Sequence, residues 1–242
     1  MATIFNLGCG TKTSPKCINV DWSVYLRIKK NPIARALAPV FLRGSRLEKL
    51  RSLAEHVVVH DLRKGIPGAD NSADAVYHSH MFEHIDRCDA PGFLAEVRRV
   101  LKPGGIHRIV VPDFEALAQR YLEHLETAAG DTTEAAQHDE YVSSMIEMMV
   151  RREAWGTSQQ KPLRRWVENR LLGDARKRGE THQWMYDRVS LRVLLEQAGF
   201  EDVQVRDFQT SAIPDWDEIG LDRHEDGREY IPGSLYLEAK KV

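Results

Sequence analysis

His80, Glu83, His84, Asp113 and His182 are the side chains of this sequence best placed to move a proton. An imidazole or carboxylate can deprotonate an alcohol when held within hydrogen-bond reach of it. His182 is the first choice among them. It stands in His182-Gln183-Trp184-Met185-Tyr186-Asp187, where Trp184 and Tyr186 offer apolar faces with polar tips suited to a sugar or a ring. The plainer alternative is that His182 and Trp184 pin a neighbouring segment to the core. His80-Met81-Phe82-Glu83-His84 also spells H-x-x-E-H, a zinc-protease pattern that needs both histidines on one helical face. Here the first histidine ends a strand-like run, so no metal is expected. A second group of residues suits a nucleoside-like cofactor. Ile4-Phe5-Asn6-Leu7 turns on Gly8-Cys9-Gly10 and recovers into Cys17-Ile18-Asn19-Val20, stopping at Asp21. Glycine admits close approach of a ligand to the backbone, and a carboxylate at the tip of the next strand can accept from both ribose hydroxyls.

The elements that must position these groups alternate between strand and helix. The β-branched run His56–His60 reads as a buried strand and ends at Asp61-Leu62. Asp74–His78 is the next strand, ending at Ser79-His80, and Ile106–Val111 another, ending at Asp113. A helix spans Ala90–Leu101, stopped by Lys102-Pro103-Gly104-Gly105. Another begins at Ser190, read as its N-cap, and ends at Gly199. Val203–Val205 and Ser234–Ala239 are the last strands, with an acidic, irregular stretch from Ile213 to Pro232 between them. The pattern argues an α/β fold with a mostly parallel, doubly wound sheet. Ligands of such sheets sit beyond the carboxyl ends of the strands, where Gly8–Gly10, Asp21, Asp61, Ser79-His80 and Asp113 fall.

Two stretches interrupt the rhythm. Residues 22–55 are basic and carry Ile33, Leu37, Val40 and Phe41 at helical spacing, cut by Pro32 and Pro39. A helical cover packed on the sheet is the expected role, with weak membrane-surface contact or an anionic, lipid-linked substrate as the sharper alternative. Residues 114–180 read as a helical lid: Phe114–Ala129, then Asp131–Arg152 with Met145, Met148 and Met149, then the basic Lys161–Arg178. The whole, 1–242, reads as one domain with these two insertions.

Composition narrows the function. A net charge of −2 and a hydrophobic fraction of 42% exclude wholesale disorder and give no general attraction to nucleic acid. Three cysteines without a paired pattern fit a reducing, cytoplasmic setting. No apolar stretch is long enough to span a bilayer.

The series NLGCG, INVD, VVHDL, ADAVYHSHMFEHI, FLAEVRRVLKPGGIHRIVVPD, HQWMYD, LLEQAGFEDVQV and SLYLEAKK resembles class I S-adenosylmethionine-dependent methyltransferases. It is most similar to a subgroup of small bacterial methyltransferases associated with surface-polysaccharide synthesis. The resemblance implies a Rossmann-like sheet of seven strands with the last antiparallel, and S-adenosylmethionine as cofactor. It places Asn6, Gly8, Cys9 and Gly10 around the methionine part and Asp21, followed by Trp22, at the ribose. Asp61 and Leu62 fall beside the adenine, and Ser79 and His80 near the sulfonium. It makes His84 a routine feature after the fourth strand. Asn6 stands where the family carries an acid, Lys12 lies near a missing third glycine, and Gly10 is too close to Asp21 for a full first helix. The implied activity is methylation of a small molecule or saccharide, on oxygen, with His182, His80 and Asp113 as acid–base residues and Trp184 and Tyr186 holding the substrate. A catalytically inactive cofactor-binding subunit and an RNA methyltransferase are the alternatives. The net charge and the lack of an appended RNA module weigh against the second, and the glycine loop is too short for the dinucleotide fingerprint.

Overall fold

A computed structural model describes residues 2–129 and 181–242, with 138, 141–143 and 145–146 between them. The described strands form one seven-stranded sheet in the order β3-β2-β1-β4-β5-β7-β6. The strands are β1 (Ile4–Leu7), β2 (Ile18–Asp21), β3 (Val58–Val59), β4 (Ala73–Ser79), β5 (Leu101–Pro112), β6 (Phe200–Arg206) and β7 (Ser234–Lys241). All neighbours among β1 to β5 are parallel, and β7 runs antiparallel between β5 and β6. This is the seven-stranded Rossmann-like sheet of class I methyltransferases.

One face is apolar and covered by helices α4 (Ala90–Val100) and α6 (Arg188–Gln197). Phe93, Leu94 and Val97 of α4 and Leu191, Leu194 and Leu195 of α6 pack there on Phe5, Leu7, Val76 and Ile109. Inside this core His78 and His107 meet Nε2 to Nε2 at 3.0 Å with both rings fully buried. Burial drives the His78 imidazole down to about 3 and that of His107 well below its usual value, so both are neutral.

The opposite face carries a polar row. Sheet register aligns Asn19 with Asn6, Asn6 with Tyr77, Tyr77 with Arg108 and Arg108 with Glu238. All five are buried. The Arg108 guanidinium donates to Asp222 Oδ2 and Glu238 Oε1, each at 2.8 Å, and to the carbonyls of Thr210 and Asp207. Asp222 accepts in addition from the Tyr77 hydroxyl at 2.6 Å and the Trp216 indole at 3.0 Å. Trp216 lies on the one-turn helix α7 (Trp216–Ile219), and Ile213, Ile219 and Leu221 fill the remaining apolar space.

Several elements depart from the sequence reading. The expected buried strand at 56–60 is the two-residue edge strand β3, with Val58 42% exposed. Lys102–Gly105 opens β5, across a register shift, instead of forming a loop. Helix α6 is capped by Asp187, whose Oδ1 accepts from Val189 N and Ser190 N; Ser190 is the third helical residue of a capping box. The 22–55 insertion forms α1 (Val24–Lys30), α2 (Pro32–Phe41) and α3 (Ser45–Ser52). Pro32 starts α2, but Pro39 lies inside it rather than breaking it. The α2 stripe does not pack on the sheet as expected: Ile33, Leu37 and Val40 are 73%, 51% and 66% exposed. Leu26 is the buried anchor of α1, in a small cluster with Cys9, Leu53 and Val57 against which Tyr25 also packs. The first helix of the expected lid is α5 (Phe114–Ala128). The helix expected over Asp131–Arg152, apart from the few residues named above, and the Lys161–Arg178 stretch lie outside the described residues. Among those described, no helix is long and apolar enough to cross a membrane.

Two stability predictions follow from the buried charges. Arg108→Met leaves Asp222 and Glu238 buried without their counter-ion and should cost about 3–5 kcal/mol, read as a lower urea midpoint. His78 and His107 are depressed in the fold from an ordinary value of 6.5. The unfolded chain therefore binds protons that the folded chain refuses. Stability is fully present above about pH 6.5 and falls as pH drops toward about 3. The double change His78→Leu with His107→Leu should flatten that loss in urea titrations repeated from pH 7 to pH 4.

Candidate active site

The β1–β2 connection, residues 8–17, contains no helix. Its shape is set from below by two buried amides. Asn6 Nδ2 donates to the Lys12 carbonyl at 3.0 Å and to Asn19 Oδ1 at 2.9 Å. Asn19 Nδ2 donates to the carbonyls of Ser14 and Cys17, and Asn19 Oδ1 accepts from Ser14 N. From above, Asp21 closes the glycine turn: its Oδ2 accepts from Gly10 N at 2.8 Å and its Oδ1 from Ser23 N at 2.6 Å. Gly8 and Gly10 both have positive φ, +63° and +53°. A Cβ on Gly8 would lie 2.5 Å from Met81 Cγ, whereas one on Gly10 would meet nothing within 4 Å. Gly8 is thus small for Met81, and Gly10 is open toward the cleft. Cys9 is buried, and burial raises its thiol to about 12, so it packs and does not react.

Beyond the ends of β1 and β4 lies a cleft of about 220 Å³, lined by Asn6, Gly8, Cys9, Gly10, Thr11, Lys12, Tyr77, Ser79, Tyr230 and Ile231. Lys12 reaches across it. Its ammonium donates to the Arg223 carbonyl at 2.5 Å and lies 4.7 Å from the centre of the Tyr230 ring. Burial lowers the Lys12 ammonium, against an opposing pull from Asp222 and Glu225. The 221–233 stretch therefore forms one wall. Lys12, Tyr77, Tyr230 and Ile231 were not picked out from the sequence as cleft residues; the positive charge in a glycine turn was the available signal for Lys12.

The donor set fits the amino-acid end of S-adenosylmethionine, with a cation for its carboxylate and an open glycine beside it. The volume is below the roughly 300–1,000 Å³ of whole ligand pockets, and Asp21 and Asp61 lie outside its lining. Asp21 is 9% exposed, and its two oxygens retain lone pairs beyond those used by Gly10 and Ser23. Asp61 is clasped by Arg63, Nε to Oδ1 and Nη2 to Oδ2 at 2.8 Å each. That pairing, foremost among its causes, holds the Asp61 carboxyl below its usual range. Leu62 is half-buried against the main core. Trp22 is 41% exposed under the Arg27 guanidinium and lines a separate open groove with Val57–Val59.

The proton-carrying residues gather at the exit of β4. His80 adopts a left-handed conformation, φ +48°, and the chain doubles back into the Phe82–His84 turn. Gln183 N and Trp184 N both donate to the Glu83 carbonyl, at 2.6 and 3.3 Å, which ties the 181–184 segment to that turn. His182 thereby packs edge-on against His84, ring centres 4.9 Å apart. Glu83 is 1% exposed. Burial alone would raise its carboxyl, but His80 and His84 outweigh burial and hold it low. His84 is itself lowered, by burial first, against the pull of Glu83.

The remaining assigned residues are less suited to contact a substrate. Asp113 caps α5, Oδ1 accepting from Glu115 N and Ala116 N. Tyr186, assigned above to the substrate, is 1% exposed and stacks on Phe82, so its ring belongs to the core. Trp184 does face outward, 42% exposed, with the Arg87 guanidinium 5.5 Å from its ring centre.

Residues 5–109 match the family described as a methyltransferase domain. No curated protein matches the chain. Among solved structures, a methyltransferase from Archaeoglobus fulgidus is similar at 15% identity and TM-score 0.42, over 99% of this chain and 86% of the other. One from Aquifex aeolicus is similar at 14% and 0.41, over 100% and 82%. One from Thermotoga maritima is similar at 15% and 0.40, over 100% and 83%. The domain match covers less than half of the chain, and with a sheet of this strand order it supports an S-adenosylmethionine-dependent methyltransferase. S-adenosylmethionine is its cofactor and supplies an electrophilic methyl group on sulfur.

Calorimetry with S-adenosylhomocysteine tests the cleft residue by residue. Gly10→Ala should cost about 1–2 kcal/mol of stability for its left-handed backbone and weaken binding at least about tenfold, a loss of roughly 1.4 kcal/mol. Asp21→Ala and Lys12→Ala should each weaken it by a similar factor or more. Unchanged affinity in any of the three removes that residue from the cofactor site.

Proposed function

We propose that the protein methylates a hydroxyl of a small molecule or saccharide in the cytoplasm. The observation that carries this reading is the gathering of His80, Glu83, His84 and His182 immediately after Ser79, which lines the cofactor cleft. An oxygen acceptor must lose a proton as the methyl arrives, whereas a neutral amine can attack without a base. His182 is the group we assign to that proton, with His80 and His84 around it. Exposed Trp184 beside Arg87 offers a flat apolar face of the kind sugars stack on. Asp113, as a helix cap, is assigned a positioning part.

Membership of the polysaccharide-linked subgroup is part of this proposal and rests on the motif series alone. An RNA acceptor is disfavoured by the condition of the basic insertion. Lys29 donates to the carbonyls of Arg51 and Leu53, and Lys30 to that of Glu55. Those ammonium groups close the insertion on itself and form no open phosphate track. The exposed α2 stripe keeps a weak membrane-surface contact within the proposal, as a way of meeting a lipid-linked saccharide.

Transfer of labelled methyl from S-adenosylmethionine to panels of saccharides, phenols, amines and structured RNA tests the reading. The expected product is a methyl ether, and His182→Ala should lower kcat by about 10²–10⁴. Label on nitrogen or on RNA overturns it, and no transfer to any acceptor favours the cofactor-binding subunit.

A further inference from the structure

Among the described residues, Glu83, His84 and His182 bring one ligand atom each to within 4.8 Å of one another. The three come from two segments, locked together by the Gln183 and Trp184 bonds to the Glu83 carbonyl. A divalent transition metal would require side-chain rotations that draw these atoms to about 3.3 Å apart, the edge of a tetrahedron with bonds near 2.0 Å. His84 Nε2 and Glu83 Oε1 already lie 3.9 Å apart.

One feature says that a cation is wanted there. The Glu83 side chain is 1% exposed and neither carboxylate oxygen makes a well-formed hydrogen bond; His80 Nδ1 and His84 Nε2 approach Oε1 only to 3.4 and 3.9 Å. Buried carboxylates without partners are costly, and proteins pair them or give them a metal.

We propose that Glu83, His84 and His182 bind one divalent transition metal of the zinc class. Two imidazoles and a carboxylate are a donor set for such metals, and three protein ligands leave a position open. The ion does not follow from the H-x-x-E-H spelling as a helical zinc motif. The first histidine ends a strand, and His182 arrives from about a hundred residues away. A position left open on such an ion would take the acceptor hydroxyl, which coordination would acidify. The hydroxyl proton leaves to water and the oxygen lone pair bonds to the methyl carbon. The carbon–sulfur bond breaks with its electrons staying on sulfur, giving a methyl ether and S-adenosylhomocysteine. In that state His182 holds the ion and not the proton. This use of the metal rests on the oxygen-acceptor reading; the metal site itself does not.

The test is calorimetry with Zn²⁺ on the whole protein after chelator dialysis, run beside S-adenosylhomocysteine on the same sample. One equivalent of Zn²⁺ should bind the native protein, with affinity at least tenfold lower in His182→Ala and in Glu83→Gln. Glu83→Gln keeps the side-chain volume and His182→Ala leaves the buried turn untouched, so one variant remains informative if the other folds poorly, as judged by circular dichroism. No stoichiometric binding to the native protein overturns the proposal, as does equal affinity in both variants. If S-adenosylhomocysteine still binds in that case, the cofactor site stands and His182 returns to the role of base.

Discussion

The polar row across the middle of the sheet is the constraint on which the rest of the site depends. Asn19, Asn6, Tyr77, Arg108 and Glu238 occupy one level of five adjacent strands and point to one face. Buried polar atoms must be partnered, and a helix laid over them would have few groups to offer, because its carbonyls are spent within it. Irregular chain has them to give. The carbonyls of Lys12, Ser14 and Cys17 meet Asn6 and Asn19, and those of Asp207 and Thr210 meet Arg108. The row therefore explains why this face carries loops where the other carries helices. Those two loops are the ones that line the cofactor cleft, and Lys12 joins them. Asp222 is the counterpart on the second loop, accepting from Tyr77, Arg108 and Trp216 together.

The glycine turn obeys the same economy. Asp21, the residue the motif series assigns to the ribose, organises the protein's own backbone through Gly10 N and Ser23 N. A carboxylate already held by two donors costs little to order when the ligand arrives, which favours tight binding. Asn6 has a different task from the acid of the related motif. An acid there would set a negative charge against the Lys12 carbonyl and Asn19 Oδ1, both of which accept from Asn6 Nδ2.

The sequence made most of the strands, α4, α5 and the cleft glycines legible because apolar periodicity and glycine turns are local signals. The abbreviated β1–β2 connection was legible too, from the nearness of Gly10 to Asp21. What stayed hidden was decided over long distances. Arg108 reads as an ordinary interior charge until Asp222 and Glu238, more than a hundred residues on, are folded against it. β3 looked buried because its run is β-branched, but among the described residues no strand flanks it on the outside. The α2 stripe has helical period without a partner surface, and period alone cannot say which way a face turns. Lys102–Gly105 carries helix-stopping residues and indeed ends α4, yet the chain enters β5 at once, since the register shift against β4 leaves these four residues out of the regular ladder, where glycine and proline are tolerated. Ser190 and Asp187 are both cap-type residues three apart, so the capping box was in the sequence and its register was misread by one turn.

The antiparallel strand is what joins the cofactor side to the acceptor side. Parallel strands deliver only their carboxyl ends to the ligand edge of such a sheet. β7 runs the other way, so it delivers its beginning there, with Ser234 opposite Pro112 of β5 and residues 221–233 just before it. Ser234 then accepts from His80, whose left-handed backbone turns the chain from Ser79 in the cleft to Glu83 beneath His84 and His182. A non-glycine residue at positive φ is sparsely populated and persists only where surrounding bonds over-determine it. His80 has two of them, from its side chain to Ser234 and from its N–H to the Val110 carbonyl at 2.9 Å. Loosening β7 at Ser234 would release that turn and move Glu83 and His84 relative to the cleft. The placement of the proton- and metal-competent groups is thus a consequence of one reversed strand, set by the sheet and not by the motif that contains them.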